Sequence, residues 1–152
     1  MIKLINFTDL NCKQKDMVLS WRNHDKIRKW MYQTSKITKE MHYSFIDGLK
    51  EKTDRIYFLV MDDSNNIGVV DLTNIDNVTK TAELGIYTNP ELRAQGDILL
   101  KVIIDYAFEK LKLKKLNANV YLDNLPAIAL YQRFSFQKIQ EDNNLLKMTF
   151  KI

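Results

Sequence analysis

Apolar and polar positions follow one another along the chain with periods that predict both strands and helices. Residues 56–61 form a continuous apolar run, which is typical of a strand that is buried on both faces of a sheet. Residues 67–72 and 82–87 read as the next two strands, and polar turns separate the three segments. We therefore expect two adjacent β-hairpins in the middle of the chain.

The second half of the chain has the pattern of a buried helix between two strands. Charged side chains between residues 97 and 112 recur at every third or fourth position, and most other positions are apolar. Residues 116–121 alternate as a strand. Because this strand and the one at 82–87 flank the helix, we expect them to pair in parallel through a right-handed crossover.

Shorter patterns complete the expected order of elements, βααβββαβαββ. Thr38 can cap a helix over residues 39–51, in which Met41, Phe45 and Leu49 share one face. The chain has no internal repeat, linker or break in composition, so we expect one α/β domain over residues 1–152. The remaining elements are a strand at 1–7, helices at 13–23, 25–31 and 124–134, and strands at 136–140 and 145–151.

Composition and charge narrow the functional classes. The chain has 152 residues, 45% of them apolar, and a formal net charge of +4, which is too small to indicate a nucleic-acid partner. The charge is uneven, however, because residues 13–39 carry eight lysines and arginines against two aspartates. The longest apolar-rich stretch, residues 98–108, is far short of the roughly 20 residues that a membrane span needs.

Cysteine and histidine are too few to build a metal centre. Cys12 is the single cysteine, and His24 and His42 are 18 positions apart. A free thiol and a start without the apolar region of a signal peptide favour a cytoplasmic protein. We expect no metal, no nucleic acid and no membrane partner, and a monomer or a homodimer.

A loop at residues 93–96 is the first candidate for chemistry. It joins the strand at 82–87 to the N-terminus of the buried helix, where free backbone N–H groups and the helix dipole favour an anion. Arg93 adds positive charge, and Gly96 allows a ligand to approach the backbone. The alternative is a plain turn with a surface arginine.

The second candidate is the segment from 124 to 136. Asn124 can cap a helix whose first turn accepts Pro126. Tyr131 is then either a proton donor that faces a cleft or a packing residue of an ordinary amphipathic helix.

Together these segments resemble the GCN5-related N-acetyltransferase (GNAT) superfamily. Residues 124–136 match its pattern N-x-x-A-x-x-L-Y-x-x-x-G-F except at Ser135, and residues 83–87 read Glu-Leu-Gly-Ile-Tyr, as its strand before the loop often does. Arg93 and Gly96 match its R-x-x-G-x-(G/A) loop, while Ile98 replaces the last small residue. The resemblance covers essentially the whole chain and implies a central mixed seven-stranded sheet flanked by helices.

The resemblance also implies acetyl-coenzyme A as cosubstrate. It puts the pyrophosphate on the backbone amides of residues 93–98, and the pantetheine arm beside residues 84–87, where the strands at 82–87 and 116–121 splay apart. It makes Asn124 a pantetheine contact and Tyr131 the proton donor to the departing thiolate, a role that suits a neutral phenol. The implied coenzyme-binding residues are Leu84, Ile86, Arg93, Ala94, Gln95, Gly96, Asp97, Ile98, Asn124, Ala127 and Tyr131.

Two residues are candidates for the base that takes a proton from the acceptor amine. Glu83 lies on the strand that many relatives use for this task, and His42 titrates in a suitable range. The alternatives are that Glu83 pairs with an arginine and that His42 lies on a solvated helix face.

Cationic and aromatic side chains in the first half suit an anionic, ring-bearing acceptor such as a nucleotide sugar. The chain is also similar to a subfamily that acetylates UDP-4-amino-4,6-dideoxy-N-acetyl-β-L-altrosamine by direct transfer, on the route to the sugar that decorates flagellin. Acetylation of a protein N-terminus or a polyamine is the alternative, and a non-catalytic binding module is a third. The subfamily resemblance puts Arg22, His42, Thr79 and Lys80 near the diphosphate and Met31, Tyr32, Phe45 and Tyr87 in the sugar pocket.

Overall fold

A computed structural model describes residues 1–151, and its strands form one mixed sheet. Only β4 and β5 pair in parallel, as expected, and all other neighbouring strands are antiparallel. The order across the sheet is β1-β2-β3-β4-β5-β7-β6, which confirms the predicted seven-stranded sheet. The strands are β1 (Ile2–Asn6), β2 (Ile56–Asp62), β3 (Asn65–Asp76), β4 (Thr81–Thr88), β5 (Lys115–Tyr121), β6 (Gln137–Asp142) and β7 (Leu145–Lys151).

Helices cover both faces of the sheet in nearly the predicted order. The predicted helix at 97–112 is α4 followed by a π-helical turn over Tyr106–Lys110, and α2 is a single short turn between α1 and α3. Within residues 1–151, no helix is both long and apolar enough to span a membrane. The helices are α1 (Cys12–Arg22), α2 (Asp25–Arg28), α3 (Lys39–Gly48), α4 (Gly96–Asp105) and α5 (Leu125–Arg133).

The sheet separates two apolar cores. On one face, α4 packs on β3 and β4 through residues such as Leu99, and α5 contributes Leu130 to the same core. On the other face, α1 and α3 pack through Val18 and Ile46. Phe58 of β2 points into the first core and its neighbour Leu59 into the second. This arrangement confirms that the apolar run at 56–61 is a strand buried on both faces.

Helix α3 begins where Thr38 predicts but presents a different face to the core. The Thr38 hydroxyl accepts the backbone N–H of Met41 at 3.1 Å. Met41 and Phe45 are nevertheless 48% and 39% exposed, whereas His42 and Ile46 are buried. The expected stripe is confirmed for Leu49, which is buried in the second core, and was wrong for Met41 and Phe45, because α3 packs on α1 through the neighbouring positions and leaves Phe45 at the edge of a cleft.

Strands β4 and β5 pair only at their beginnings. The parallel ladder has three Cα pairs and ends where Glu83 faces Asn117. Both strands continue, β4 to Thr88 and β5 to Tyr121, without pairing to each other. The sheet therefore opens between them, as the sequence resemblance implied.

Candidate active site

The opening between β4 and β5 belongs to a cleft of about 1060 Å³. Its walls come from α1, α3 and α5 and from strands β3, β4 and β5. It thus joins the two halves of the chain, as expected for a site that binds two substrates. Of the residues predicted from the sequence, the cleft brings together Arg22, Met31, Tyr32, His42, Phe45, Glu83, Leu84, Ile86, Tyr87, Ala94, Gly96, Asp97, Asn124, Ala127 and Tyr131.

The loop before α4 has the geometry of an anion site. The first intrahelical bond of α4 runs from Leu99 N–H to the Gln95 carbonyl at 3.1 Å, so the N–H groups before residue 99 have no partner inside the helix. Ala94 adopts a left-handed backbone conformation with φ of 59°, which turns the loop into the helix. These N–H groups suit a phosphate next to the positive end of the helix dipole.

Gly96 lies close to α5, so a glycine is needed here for helix packing as well as for access to the backbone. A Cβ atom at this position would lie 2.9 Å from Leu130 Cδ2 on α5. The glycine therefore allows α4 and α5 to pack closely beside the cleft. Arg93 and Gln95 lie on the loop and Ile98 lies in the first turn of α4, but none of the three lines the cleft.

Helix α5 holds Tyr131 at the floor of the cleft. Asn124 caps the helix through Oδ1, which accepts the Ala127 N–H at 3.4 Å, and Pro126 lies in the first turn as predicted. The Tyr131 side chain is buried, with its ring 5.2 Å from that of Phe136. Burial, followed by the nearby Asp71 carboxylate, raises the pKa of Tyr131 above its ordinary value. The phenol is therefore neutral at physiological pH.

Arg22 lines the cleft, and its guanidinium is only partly satisfied. Its Nη2 donates to the Gln33 carbonyl at 2.9 Å, whereas the buried Nη1 has no hydrogen-bond partner within residues 1–151. Burial lowers the pKa of Arg22, and the Tyr87 phenol partly opposes this shift. A buried donor without a partner costs free energy, so an anionic ligand would satisfy this group.

His42 lies inside the protein and not on a solvated helix face. Its Nε2 is 2.9 Å from the Lys15 carbonyl, which can only accept, so Nε2 carries the proton and Nδ1 is the free acceptor. Burial lowers the pKa of His42 below its ordinary value. The ring is therefore neutral at pH 7 and retains one nitrogen that can accept a proton.

Two carboxyl groups share the face of the sheet that forms the cleft floor. Glu83 lines the cleft, and no salt bridge in the described part of the chain pairs it with an arginine. Asp71 of β3 also lines the cleft, and sequence reasoning did not single it out. Burial, followed by the charge of Glu83, raises the pKa of Asp71 to about 7. The available signal was a charged residue inside the apolar run at 67–72.

Thr79 and Lys80 do not line the cleft, and their place beside the acceptor stays a prediction. They belong to the turn between β3 and β4, where the Thr79 N–H donates to Asp76 Oδ1 at 3.1 Å. The Lys80 carbonyl accepts the Lys114 N–H at 2.8 Å. The turn thus lies beside the beginning of β5.

The chain is similar in sequence to known acetyltransferases. Residues 17–136 match the model of the Acetyltransferase (GNAT) family. Acetyltransferase PseH of Campylobacter jejuni subsp. jejuni serotype O:23/36 (strain 81-176) is 42% identical over 151 residues, which cover 99% of this chain and 94% of the relative. Spermidine N(1)-acetyltransferase of Escherichia coli (strain K12) is 28% identical over 116 residues, covering 75% of this chain and 62% of that one.

Solved structures of N-acetyltransferases are also similar to this chain. The crystal structure of Campylobacter jejuni N-acetyltransferase PseH in complex with acetyl coenzyme A has a TM-score of 0.85 at 36% identity, covering 99% of both chains. Spermidine N-acetyltransferase from Vibrio cholerae, in complex with CoA and spermine, has a TM-score of 0.88 at 20% identity, covers 99% of this chain and 95% of that one, and supports the fold alone. The chain therefore belongs to the acetyltransferase (GNAT) family and is an acetyl-CoA-dependent N-acetyltransferase.

Proposed function

We propose that the protein acetylates the 4-amino group of UDP-4-amino-4,6-dideoxy-N-acetyl-β-L-altrosamine. This reaction belongs to the biosynthesis of pseudaminic acid, the sugar that decorates flagellin. The proposal is supported by the 42% identity to acetyltransferase PseH along nearly the whole chain. It is also supported by the distribution of charge in the cleft.

Arg22 is the observation that carries the proposal. Its unpartnered Nη1 and the charge of Lys26, which lines the same cleft, suit a diphosphate at the acceptor end. Glu83 and Asp71 suit an amine at the end where acetyl transfer takes place. A UDP-amino sugar has these two charges in this order, whereas a polyamine is cationic along its length.

Acetyl-CoA fits the opposite side of the cleft. The free N–H groups of residues 94–98 at the start of α4 would hold the pyrophosphate. The unpaired part of β4, including Leu84 and Ile86, would hold the pantetheine arm in the sheet opening, beside Asn124 and Ala127. This arrangement brings the thioester to Tyr131.

Direct transfer in a ternary complex is the mechanism that these residues support. The acceptor amine attacks the thioester carbonyl, and the Tyr131 hydroxyl donates a proton to the departing sulfur. Glu83 and His42 both line the cleft, and they are the proton acceptors that the sequence offers for the amine. Cys12 is exposed at the start of α1 and does not line the cleft, which supports direct transfer over a covalent acetyl-cysteine.

A polyamine or a protein N-terminus is the second candidate acceptor. The partial sequence match to spermidine N(1)-acetyltransferase favours a polyamine. The cationic groups Arg22 and Lys26 in the acceptor half of the cleft oppose it. Spermidine and an N-terminal peptide are therefore the competing acceptors in the test of the proposal.

The proposal is tested by measuring acetyl transfer to UDP-4-amino-6-deoxy sugars of both epimeric series. We expect turnover with the altrosamine derivative to exceed that with spermidine or peptide. Arg22→Ala should raise the KM for the UDP-sugar by about tenfold or more, since a hydrogen bond to a charged group contributes about 1.5–3 kcal/mol. The KM for acetyl-CoA should stay unchanged, and Lys110→Ala, an exposed cation outside the cleft, should alter neither value.

Two results would contradict the proposal. Faster turnover of spermidine than of every UDP-sugar would make the protein a polyamine acetyltransferase. An unchanged KM for the UDP-sugar in Arg22→Ala would remove Arg22 from the acceptor site.

A further inference from the structure

We infer that Asp71 is the proton acceptor of the acetyl transfer, with Glu83 as its neighbouring carboxyl group on the same face of the sheet. This assigns to Asp71 the task for which the sequence offered Glu83 and His42. The inference rests on acetyl transfer to an amine, which family membership establishes, and not on the identity of the acceptor.

The position of Asp71 is the first argument. It lies in the middle of β3, where its Cα pairs with that of Gly85 on β4. A Cβ atom on Gly85 would lie 2.6 Å from Asp71 Oδ2 and 3.0 Å from Oδ1. The carboxyl group therefore covers Gly85, on the part of β4 that borders the sheet opening. The glycine leaves the space that the carboxyl group occupies.

The absence of a structural partner is the second argument. Within residues 1–151, the side-chain hydrogen bonds and salt bridges include none to the Asp71 carboxyl group. A recessed carboxylate without a cation or a donor destabilises the fold, so such a group is typical of a functional site. Asp71 still has one partly open side, which faces the cleft.

The titratable neighbours of Asp71 define its protonation. Tyr57 of β2 lies directly opposite, and Glu83 of β4 is a diagonal neighbour on the same face, about 7–8 Å away between backbones. Tyr87 and Tyr131 are also close enough for the charge of Asp71 to raise the pKa of each phenol. Two cations also belong to this group of side chains: Arg22 lies near Tyr87, and Arg55 lies near Tyr57. Burial and Glu83 then raise the pKa of Asp71 to about 7.

This protonation suits the reaction, because a base works best when its pKa lies near the working pH. The acceptor nitrogen forms a bond to the acetyl carbon and gives one proton to the Asp71 carboxylate, directly or through water. The carbon–sulfur bond breaks, and Tyr131 gives its proton to the sulfur. A proton then returns from Asp71 to the Tyr131 oxygen through water. The net change is one proton moved from nitrogen to sulfur.

The kinetic test compares Asp71→Asn and Glu83→Gln with Asp142→Asn, a matched control on the exposed strand β6. The measurement is the pH profile of kcat and kcat/KM at saturating acetyl-CoA. Asp71→Asn should lower kcat about 100-fold or more and remove the acidic limb near pH 7. Glu83→Gln should keep this limb but move it to lower pH, because the like charge is gone. Ionisation of the acceptor amine also affects the pH profile, but it does so equally in all variants, because the acceptor is the same.

A second measurement does not depend on the acceptor. Carbon-13 NMR of aspartate carboxyl groups in the full-length protein should show one signal titrating near pH 7. This signal should be missing in Asp71→Asn and should shift to lower pH in Glu83→Gln. The same spectra report whether each variant is folded.

The outcomes separate this inference from the proposed function. If UDP-amino sugars do not react but another amine does, only the proposed function fails, and the variants are compared with that amine. If Asp71→Asn keeps kcat within threefold of the wild type, the inference is wrong. It is also wrong if no aspartate signal titrates near pH 7, or if the acidic limb disappears in Glu83→Gln and remains in Asp71→Asn.

Discussion

Tyr131 and Asp71 lie at the floor of one cleft and respond to burial in the same direction. Burial favours the neutral form of both side chains, since water no longer stabilises the charge. The phenol is consequently far from ionisation at pH 7, while the carboxyl group is divided between its two forms. One group is therefore suited to donating a proton and the other to accepting one.

Loss of the Tyr131 hydroxyl should affect the chemical step alone. Tyr131→Phe keeps the ring that packs against Phe136, so the fold and coenzyme binding should persist. We expect kcat to fall about 100-fold, as for loss of a positioned proton donor, with the KM for acetyl-CoA within twofold of the wild type. Tyr106→Phe is the matched control, because Tyr106 packs against Phe58 and does not line the cleft. A large loss of coenzyme binding in Tyr131→Phe would instead make Tyr131 a structural residue.

Asp71 should make the stability of the protein depend on pH. Its pKa in the folded state, about 7, exceeds the ordinary value of 3.8, so the folded protein binds this proton more tightly than the unfolded chain. The contribution of Asp71 therefore becomes less favourable as pH rises from about 4 to about 7, and is constant above that. Asp71→Asn should raise the free energy of unfolding at pH 8 by about 3–4 kcal/mol more than at pH 4.

Urea unfolding at both pH values measures this effect, with Asp142→Asn as the control that should change little at either pH. Equal effects of Asp71→Asn at pH 4 and pH 8 would show that the carboxyl group is not perturbed. A variant that is more stable at pH 8 but less active is the combination expected for a group retained for catalysis.

At the scale of elements, α5 is followed by Ser135, where the pattern of the GNAT family has glycine. The Ser135 N–H donates to the Gln132 carbonyl, and the Phe136 N–H donates to the Tyr131 carbonyl, both at 3.0 Å. These two bonds form the Schellman arrangement that ends many helices. Ser135 occupies its left-handed position with φ of 70°, which glycine adopts without strain.

Ser135→Gly should therefore stabilise the protein. Relief of the left-handed conformation is worth about 1–2 kcal/mol, and the added freedom of glycine in the unfolded chain removes about half of that gain. We expect a net gain of about 1 kcal/mol, or a Tm higher by about 2–4 °C. Calorimetry of the wild type and the variant measures it.

Ser35→Gly tests whether the gain is specific to the conformation of residue 135. Ser35 lies in the loop before α3 and does not have positive φ, so glycine there should slightly destabilise the protein. A loss of stability in Ser135→Gly would mean that the serine makes a contribution beyond its backbone conformation.

At the scale of the whole molecule, the features predictable from the sequence are those that depend on local order. The apolar run at 56–61 and the strand–helix–strand pattern around α4 depend only on neighbouring positions, and both predictions are confirmed. The contact of Asp71 with Gly85 depends on the register between β3 and β4, which no local pattern reports. The face of α3 depends on how α3 rests on α1, and so the prediction was wrong for Met41 and Phe45.

Only some of the positive charge of the basic segment 13–39 lies at the cleft in the folded protein. The basic segment 13–39 runs through α1 and α2 to the start of α3, beside the acceptor half of the cleft. Of its eight cations, Arg22 and Lys26 line the cleft, and Lys39 lies near Asp16. The basic segment thus contributes two cations to the cleft, and burial distinguishes Arg22 from the other cations of the segment.

The short ladder between β4 and β5 gives the sheet two bare edges in its interior, beyond the Glu83–Asn117 pair. Exposed strand edges attract foreign strands, and proteins normally place them at the rim, where they can be blunted. Here the proposed occupant is the extended arm of the coenzyme, a strand that the gene does not encode. On that binding mode the cosubstrate completes the architecture as well as supplying the acetyl group. Each turnover then takes apart and rebuilds one strand position of the sheet, and cellular coenzyme levels stabilise the folded state by mass action.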